Sequence, residues 1–310
     1  MATAEITRRQ FLASASATFI VPPIAHAATP ATVQLRSEDQ LNRELAKIEL
    51  ASGGRLGVVV LDTATRIRTL HRGDERFPMC STFKLLACAA VLAKVDAGKQ
   101  RLDQRIIFQK TDLVTYSPIT ETHTGAPGMS LAEICAAAID YSDNTAANLI
   151  LANIGGPAGF TQFARSLGDI VTRLDRIETA LNESLPNDPR DTTTPSAMVA
   201  NLNSLLLGSA LSASSRNQLT QWLLANTTGG TRLRAGVPAN WRVGDKTGTG
   251  DRGSTNDIGI LWPPSAKPLL VCAYLTGTTA SADQRNATIA AVGRAIFASF
   301  TPEPSGPKIS

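Results

Sequence analysis

The chain has 310 residues, of which 43% are hydrophobic and 18% are charged, and its formal net charge is +4. This length is sufficient for one large domain, or for two lobes, with a substantial hydrophobic core. The positive excess is small and no dense Lys/Arg cluster occurs, so nucleic acid is not an expected partner.

The N-terminal segment has the organisation of an export signal. Arg8 and Arg9 precede a short apolar run that contains two prolines, and the small-residue pattern Ala25-His26-Ala27 follows it. This order predicts a twin-arginine signal peptide over residues 1–27, cleaved after its last alanine. A membrane anchor is the alternative, but the run is short for a bilayer-spanning helix.

Cleavage would leave residues 28–310 as a single exported domain. Since no later stretch is long and apolar enough to span a bilayer, we expect a soluble periplasmic protein with no membrane association in the mature form. We also expect a monomer. Residues 301–310 are rich in proline, and the sequence predicts a flexible tail there.

Both ends of the mature chain carry signals of a sheet with covering helices. Helical spacing of apolar residues predicts a first helix over Glu38–Leu50 and a last helix over Ser281–Phe300. Between them, β-type patterns predict a hairpin and a group of three later strands. The predicted strands are Leu56–Leu61, Arg66–Leu70, Trp241–Lys246, Ile258–Trp262 and Leu269–Leu275.

The middle of the chain is predicted to be helical. The helices are one that starts at Ser81, then Leu131–Ile139, Thr145–Ile154, Pro157–Leu167, Pro195–Leu207 and Ser212–Ala225. We therefore predict an α+β fold with two lobes. Its five-stranded, mostly antiparallel sheet is flanked by the N- and C-terminal helices and occupies about residues 36–75 and 232–300. An all-helical lobe, about residues 76–231, is inserted, and the cleft between the lobes is the expected ligand site.

Ser81 and Lys84 open the first helix of that lobe and lie on one helix face, one turn apart. Burial of the lysine would lower its pKa, and the helix N-terminus offers N–H groups to an oxyanion. A nucleophile, an amine and oxyanion donors therefore coincide within four residues. The alternative is a capping serine with a lysine that extends to solvent, and this motif alone favours that alternative.

Three further polar stretches supply possible partners for Ser81. Ser142-Asp143-Asn144 lies between two predicted helices, and Lys246-Thr247-Gly248-Thr249 ends a predicted strand. Glu178 and Asn182 lie in a long stretch, 173–191, without clear periodicity, which compact domains seldom contain unless it is functional. Taken singly, these stretches are typical of a helix cap, a turn and a solvated side chain.

In this order, however, the motifs resemble those of the class A serine β-lactamases, in the penicillin-binding protein and serine transpeptidase-like superfamily. The motifs are Ser81-x-x-Lys84, Ser142-Asp143-Asn144, Glu178-x-x-Leu181-Asn182 and Lys246-Thr247-Gly248. The resemblance covers essentially the whole mature chain. It implies hydrolysis of the β-lactam amide of penicillins and cephalosporins, with no cofactor and no metal.

The resemblance also implies catalytic roles. Ser81 would form the acyl-enzyme, with Lys84 as a proton-relay partner. Ser142 would pass a proton to the departing lactam nitrogen, and Glu178 with Asn182 would activate the hydrolytic water. Whether Lys84 or Glu178 is the base for acylation stays open.

The same comparison implies binding roles around the substrate. The backbone N–H groups of Ser81 and Thr249 would form the oxyanion hole. The implied substrate-binding residues are Tyr116, Asn144, Asn182, Arg232, Lys246, Thr247, Gly248 and Thr249. Many family members have an arginine for the substrate carboxylate at the position of Thr255. Arg232 matches the alternative position from which some members supply that guanidinium. Otherwise, Arg232 would be a surface side chain.

Two structural features of the family are also implied. Arg176 and Asp191 match the ion pair that fixes the loop around Glu178. In many members proline follows the glutamate, with a cis peptide bond between them. Here the residue is Thr179, and the sequence leaves the geometry of that bond open.

The four cysteines allow three pairings, among which spacing cannot choose. The resemblance implies a disulfide between Cys88 and Cys135. Cys80 pairs with a second cysteine in carbapenem-hydrolysing members, but Gly250 occupies that position here. Cys80 and Cys272 are therefore expected to be buried, free thiols.

Two other functions share part of this pattern. A D-Ala-D-Ala peptidase of the penicillin-binding kind has the serine, lysine and Lys-Thr-Gly elements but deacylates slowly, and Glu178 and Asn182 favour the hydrolase. A β-lactam sensor stays acylated and requires a transmembrane transducer, for which the sequence has no candidate segment.

Overall fold

The computed structural model describes residues 38–300. Its centre is a five-stranded antiparallel sheet, and two separate two-stranded ladders accompany it. The strands in chain order are β1 (Arg55–Asp62), β2 (Arg68–His71), β3 (Phe77–Pro78), β4 (Arg105–Ile106), β5 (Met129–Ser130), β6 (Thr192–Thr193), β7 (Arg242–Thr249), β8 (Thr255–Trp262) and β9 (Leu269–Thr276). The order across the main sheet is β2-β1-β9-β8-β7, so β7 forms one edge.

Helices cover both faces of this sheet. In chain order they are α1 (Glu38–Ser52), α2 (Phe83–Asp96), α3 (Leu131–Asp140), α4 (Asn144–Ile154), α5 (Gly156–Ser166), α6 (Pro195–Leu206), α7 (Ala213–Ala225), α8 (Leu233–Gly236) and α9 (Ala282–Phe300). None of the helices described between residues 38 and 300 has the length and apolar character needed to cross a membrane.

The alternation of side chains along β1 divides the interior into two hydrophobic clusters. Val58 and Val60 pack in the cluster that includes residues of α1 and α9. Val59 and Leu61 point to the opposite face and join the cluster formed with the helical lobe. Successive strand side chains alternate between faces, so a strand buried on both sides reads as a continuous apolar run.

Helix α2 is the central element of the helical lobe. Every residue from Phe83 to Leu92 is buried, and the helix packs against α3, α4, α5 and α7. A helix that is apolar on all sides requires such a surrounding layer. The position of α2 in turn fixes where the residues at its N-terminus enter the cleft.

The predicted fold class is confirmed, with differences at the ends of elements. β2 begins at Arg68, because Arg66 adopts a positive φ of 66° in the preceding turn. β7 and β8 extend further toward the turn between them than the apolar pattern indicated. The pairs β3–β6 and β4–β5 were not predicted, since two-residue strands carry no periodic signal. The predicted signal peptide and tail lie outside the described residues.

Candidate active site

Ser81 lies in a 3₁₀ turn, Cys80–Thr82, that leads directly into α2. Cys80 has a φ of 45°, an uncommon conformation for a residue other than glycine. The Thr82 hydroxyl stabilises the turn by donating to the carbonyl of Met79 at 2.8 Å. The hydroxyl of Ser81 donates to Oε1 of Glu178 at 3.2 Å. The turn thus directs the serine hydroxyl toward a carboxylate.

Lys84 follows one turn later and is fully buried. Its Nζ donates to the carbonyl of Ser142 at 2.8 Å and to Oδ1 of Asn144 at 2.6 Å. It also lies 2.9 Å from Oε1 of Glu178. Burial lowers the pKa of Lys84, and the neighbouring Glu178 carboxylate opposes that shift. A lysine whose charged form is disfavoured, and which contacts a carboxylate, is suited to proton exchange.

Glu178 is held on all sides by polar contacts. Its Oε2 accepts a hydrogen bond from Nδ2 of Asn182 at 2.6 Å. Its backbone N–H donates to Oδ1 of Asn148 at 2.9 Å, and its carbonyl accepts from Nδ2 of the same side chain at 3.0 Å. The peptide bond between Glu178 and Thr179 is cis. The carboxylate is therefore positioned from α4 as well as from its own loop.

The loop around Glu178 is joined at its two ends by Arg176 and Asp191. Arg176 Nε lies 2.6 Å from Oδ2 of Asp191. Oδ1 of Asp191 accepts the backbone N–H groups of Asp175 and Arg176 at 2.7 and 3.0 Å. Arg176 also forms an ion pair with Glu183 at 2.6 Å. Asp191 is almost fully buried, so these contacts join the two ends of the loop on the side that faces the protein interior.

Ser142 is presented by a tight connection between α3 and α4. It has a φ of 60°, and the next residue, Asp143, caps α4 by accepting the N–H of Ala146 at 2.8 Å. Asp143 also accepts two backbone N–H groups from residues 119 and 120. The cap leaves Ser142 directed toward β7. Asn144 donates to the carbonyl of Thr115 at 2.8 Å, so its amide oxygen is oriented toward Lys84.

Lys246 on β7 is fully buried. Its Nζ donates to the hydroxyl of Ser142 at 3.0 Å and to the carbonyl of Thr247 at 2.8 Å. Burial lowers its pKa well below the usual lysine value, and the positive charges of Lys84 and Arg232 add to that effect. The site therefore contains two buried lysines. Burial disfavours the charged form of each, and their positive charges repel each other.

An open cavity of about 430 Å³ lies above these groups. Its lining residues are Ser81, Tyr116, Ser142, Asn144, Asn182, Thr228, Arg232, Thr247, Gly248 and Thr249. Tyr116 is 58% exposed and forms part of the rim. The buried residues Lys84, Glu178 and Lys246 lie beneath the cavity floor. The cavity thus exposes hydroxyl, amide and guanidinium groups to a ligand, while the buried groups adjoin Ser81 and Ser142.

Arg232 is not a surface side chain: only 8% of it is exposed. It donates to the carbonyls of Gly248 and Asn256 at 2.8 and 2.7 Å, and to Oγ1 of Thr249 at 2.7 Å. Its Nε donates to Oδ1 of Asn286 at 2.9 Å. The guanidinium is therefore fixed against the edge of β7, next to Thr249. The hydroxyl of Thr255 accepts a hydrogen bond from Nε of Arg285 at 3.0 Å.

The predicted disulfide between Cys88 and Cys135 is not present in the structure, where both residues have free thiols. Both are fully buried, and Sγ of Cys88 lies 3.7 Å from the carbonyl oxygen of Cys135. The residues are thus adjacent but unbonded. Cys80 and Cys272 are also buried and free, and burial raises the pKa of the Cys80 thiol to about 12.

A protein-family model described as "Beta-lactamase enzyme family" matches residues 40–300, which include every residue of the site just described. The chain belongs to this β-lactamase family.

Individual relatives support this assignment, and a solved structure specifies class A. The β-lactamase OXY-1 of Klebsiella oxytoca is 50% identical over 260 residues, which cover 84% of this chain and 89% of the relative. The β-lactamase CTX-M-8 of Citrobacter amalonaticus is 49% identical over 83% of this chain and 88% of the relative. A solved ancestral class A β-lactamase is 63% identical, with a TM-score of 0.83. The match covers 84% of this chain and 100% of that structure.

The structure of this class A β-lactamase contains contacts that sequence reasoning missed. Asn148 holds Glu178 from α4, and Asn286 orients Arg232 from α9. Thr228 lines the cavity and its hydroxyl lies 2.5 Å from that of Thr247. Asn148 lies one turn after Asn144 on α4, which is the one signal that could have indicated its position facing the site.

Proposed function

We propose that this β-lactamase hydrolyses the β-lactam amide of penicillins and cephalosporins through an acyl-enzyme on Ser81. The observation that carries the proposal is the position of the Glu178 carboxylate, which contacts the Ser81 hydroxyl through Oε1 and the Asn182 amide through Oε2. An enzyme or sensor that stops at the acyl-enzyme needs no such carboxylate beside the serine. A hydrolase needs it to activate water.

In the acylation step, Oγ of Ser81 attacks the lactam carbonyl carbon, and the hydroxyl proton passes to a base. Oε1 of Glu178 contacts both the serine hydroxyl and Nζ of Lys84. A proton that leaves Ser81 can therefore move to either group without rearrangement of the site. Burial lowers the pKa of Lys84, so its ammonium group gives up a proton more readily than that of an exposed lysine.

The negative charge on the lactam oxygen would be stabilised by the backbone N–H groups of Ser81 and Thr249. In this role, one donor typically contributes about 3 kcal/mol. Close approach of β7 to the serine turn supports the assignment: a Cβ atom at Gly248 would lie 2.9 Å from the carbonyl oxygen of Met79. Glycine at this position thus lets the strand edge lie against the turn.

Collapse of the tetrahedral intermediate breaks the C–N bond, and the lactam nitrogen takes a proton from the hydroxyl of Ser142. Lys246 donates a hydrogen bond to that hydroxyl at 3.0 Å. The nearby ammonium group stabilises the developing alkoxide, and the proton that left Ser81 restores the Ser142 hydroxyl, so Glu178 and Lys84 are again as they were before acylation.

Deacylation then requires a water molecule that loses a proton to Glu178 as it attacks the ester carbonyl. The bond between that carbonyl carbon and Oγ of Ser81 then breaks, and Glu178 passes the proton to Oγ, which returns Ser81 to its free form. Oδ1 of Asn182 is buried and has no hydrogen-bond partner among residues 38–300. This oxygen is available to accept a hydrogen bond from the water, while Nδ2 of the same side chain holds Glu178.

The carboxylate of a β-lactam would bind at the edge of β7. Arg232, Thr247 and Thr249 supply a guanidinium and two hydroxyls there, and Lys246 adds positive charge from below. Asn144 would bind the side-chain amide of the substrate, and Tyr116 would contact the substrate at the rim. We expect a monomer.

We further propose that the protein is exported to the periplasm by the twin-arginine route. That compartment is oxidising, and the buried contact between Cys88 and Cys135 supports formation of a disulfide there. Thiol titration of the denatured, unreduced protein purified from the periplasm should then find two free thiols. Four free thiols would contradict the bridge.

The proposal is tested by the lifetime of the acyl-enzyme with a chromogenic cephalosporin. Wild-type protein should turn over repeatedly, whereas Glu178→Ala should accumulate an adduct that intact-protein mass spectrometry detects. Ser81→Ala should form no adduct. A wild-type protein that is acylated once and does not turn over would instead indicate a peptidase or a sensor.

A further inference from the structure

The two N–H groups proposed to bind the lactam oxygen belong to different elements. Ser81 lies in the turn Cys80–Thr82, the serine turn, and Thr249 is the last residue of β7. An oxyanion hole stabilises the transition state only when both donors lie at hydrogen-bond distance from one oxygen. The separation between the serine turn and the end of β7 is therefore critical for the reaction.

Asn256 on β8 is a side chain that joins these two elements. In the β7–β8 ladder it lies opposite Gly248, the residue before Thr249. Its Nδ2 donates to the carbonyl of Pro78 at 2.9 Å and to the carbonyl of Met79 at 3.0 Å. These two residues lead directly into the serine turn. One amide group thus connects the sheet to the segment that carries the nucleophile.

The chemistry of the acceptors fixes the orientation of this amide. Carbonyl oxygens only accept hydrogen bonds, and the amide nitrogen of asparagine has two protons to donate. Asn256 is 1% exposed, so both bonds form away from bulk water. Its own carbonyl accepts from Arg232 at 2.7 Å, and β8 pairs with a strand on each side. The side chain is therefore presented from a well-supported part of the sheet.

The carbonyl oxygen of Met79 is the point at which the serine turn and β7 meet. It accepts from the hydroxyl of Thr82 at 2.8 Å as well as from Asn256. A Cβ atom at Gly248 would lie 2.9 Å from the same oxygen, so β7 packs against it. On β9, Tyr274 lies opposite Asn256, and its hydroxyl lies 3.0 Å from that of Thr82. Side chains of β8 and β9 thus hold the turn that β7 contacts.

We propose that Asn256 is a positioning residue for the oxyanion hole: its amide holds the N–H of Ser81 at the distance from the N–H of Thr249 that the lactam oxygen requires. This inference rests on the proposed acyl-enzyme mechanism and on the assignment of those two N–H groups. Asn256 acts through the carbonyls of Pro78 and Met79 and not by contact with the substrate.

The alternative is that Asn256 only satisfies two buried carbonyls. Such a role would affect the free energy of unfolding, because a buried carbonyl without a donor is unfavourable. It would leave the oxyanion hole unchanged. The two roles differ in the polarisation of the ester carbonyl of the acyl-enzyme. Hydrogen bonds in the oxyanion hole weaken that C=O bond and lower its stretching frequency, which infrared difference spectroscopy measures.

The spectroscopic test uses the acyl-enzyme that Glu178→Ala should accumulate with a cephalosporin. Addition of Asn256→Leu, which is similar in size but has no donor, should shift the ester carbonyl stretch to higher frequency. Asn201→Leu is the matched control. It removes another buried asparagine, whose Nδ2 donates to Oδ2 of Asp169 at 2.6 Å, and should leave the frequency unchanged.

Steady-state kinetics with a penicillin provide a second readout in the otherwise wild-type protein. Asn256→Leu should lower kcat and kcat/KM equally, by about 10- to 100-fold, because a small misplacement of the groups around the reacting atoms weakens only the transition state. Asn256→Ser is a second variant, in case the leucine side chain prevents folding. Its single O–H can donate to only one of the two carbonyls, so both effects should have the same direction and a smaller size.

Two results would overturn the proposal. One is a folded Asn256→Leu or Asn256→Ser protein whose acyl-enzyme has the carbonyl frequency of its parent. The other is an equal loss of kcat and an equal frequency shift in Asn201→Leu, which would indicate an effect of lost stability. Failure of the proposed function is distinct, since it would appear as wild-type protein that stays acylated. The carbonyl frequency of that adduct would still test the role of Asn256.

Discussion

Nζ of Lys84 lies 2.9 Å from Oε1 of Glu178, and neither side chain has any exposed surface. Each partner also has polar neighbours: Lys84 binds Ser142 and Asn144, and Glu178 binds Asn182. A buried ionic contact adds little to the free energy of unfolding compared with an apolar pair of equal shape. Removal of one partner, however, leaves the other as a buried charge without a counter-charge. The stability of the site is therefore a property of the pair.

A double-mutant cycle should reveal this dependence. We expect Lys84→Met to lower the free energy of unfolding by about 3–5 kcal/mol, because Glu178 then remains buried without its counter-charge. Addition of Glu178→Gln should restore part of the loss, with a coupling energy of about 0.5–3 kcal/mol in urea unfolding. Strict additivity of the two changes would mean that the contact carries no net interaction. Lys94→Met, at a lysine of α2 that donates to the carbonyl of Asn153, is the matched control.

Arg232 should contribute mainly to recognition of the substrate carboxylate. Arg232→Ala is expected to raise KM for a penicillin about 10- to 150-fold, since a hydrogen bond to a charged group contributes about 1.5–3 kcal/mol. Asn286→Ala, which removes only the contact to Nε, should have a smaller effect. Steady-state kinetics with the penicillin and with its methyl ester provide the measurement.

The methyl ester separates binding from structure. On the ester, which has no carboxylate, wild type and Arg232→Ala should differ little. Equal losses on both substrates would show instead that Arg232 acts through the carbonyls of Gly248 and Asn256, which it also binds.

The helical lobe and the sheet were predictable because their signals are local. The apolar run after Ser81 is too continuous for a surface helix, so it predicted the buried α2. The three late strands are apolar over most of their length, and β8 and β9 are buried on both faces. The motif residues Ser81, Lys84, Ser142, Glu178 and Lys246 were identified because their motifs, in this order, resemble those of the class A β-lactamases, and the fold brings these residues together.

The remaining contacts depend on distant residues and have no local signal. Asn148 resembles any polar residue of an amphipathic helix until Glu178, 30 residues later, is seen against it. Oδ1 of Asp140 has no hydrogen-bond partner within residues 38–300, which is a consequence of how α3 packs and which the pattern of α3 does not describe. Whether Cys88 and Cys135 can be joined likewise depends on side-chain geometry, and spacing cannot determine it.

Asp191 should affect deacylation through the loop that holds Glu178. Asp191→Asn retains the shape of the side chain but removes its negative charge. The Asp191 carboxylate binds Arg176 and accepts two backbone N–H groups. We expect the free energy of unfolding to fall by about 1.5–3 kcal/mol. The deacylation rate constant should fall more than the acylation rate constant, because the proposed deacylation step requires Glu178 and Asn182 to hold a water molecule, whereas Lys84 is a second possible base for acylation. Rapid-mixing kinetics resolve the two steps. Glu183→Gln is the control. This second partner of Arg176 is 43% exposed, and exposed ion pairs contribute at most about 1 kcal/mol to the free energy of unfolding. Equal losses in both rate constants of Asp191→Asn would contradict the role assigned to the loop.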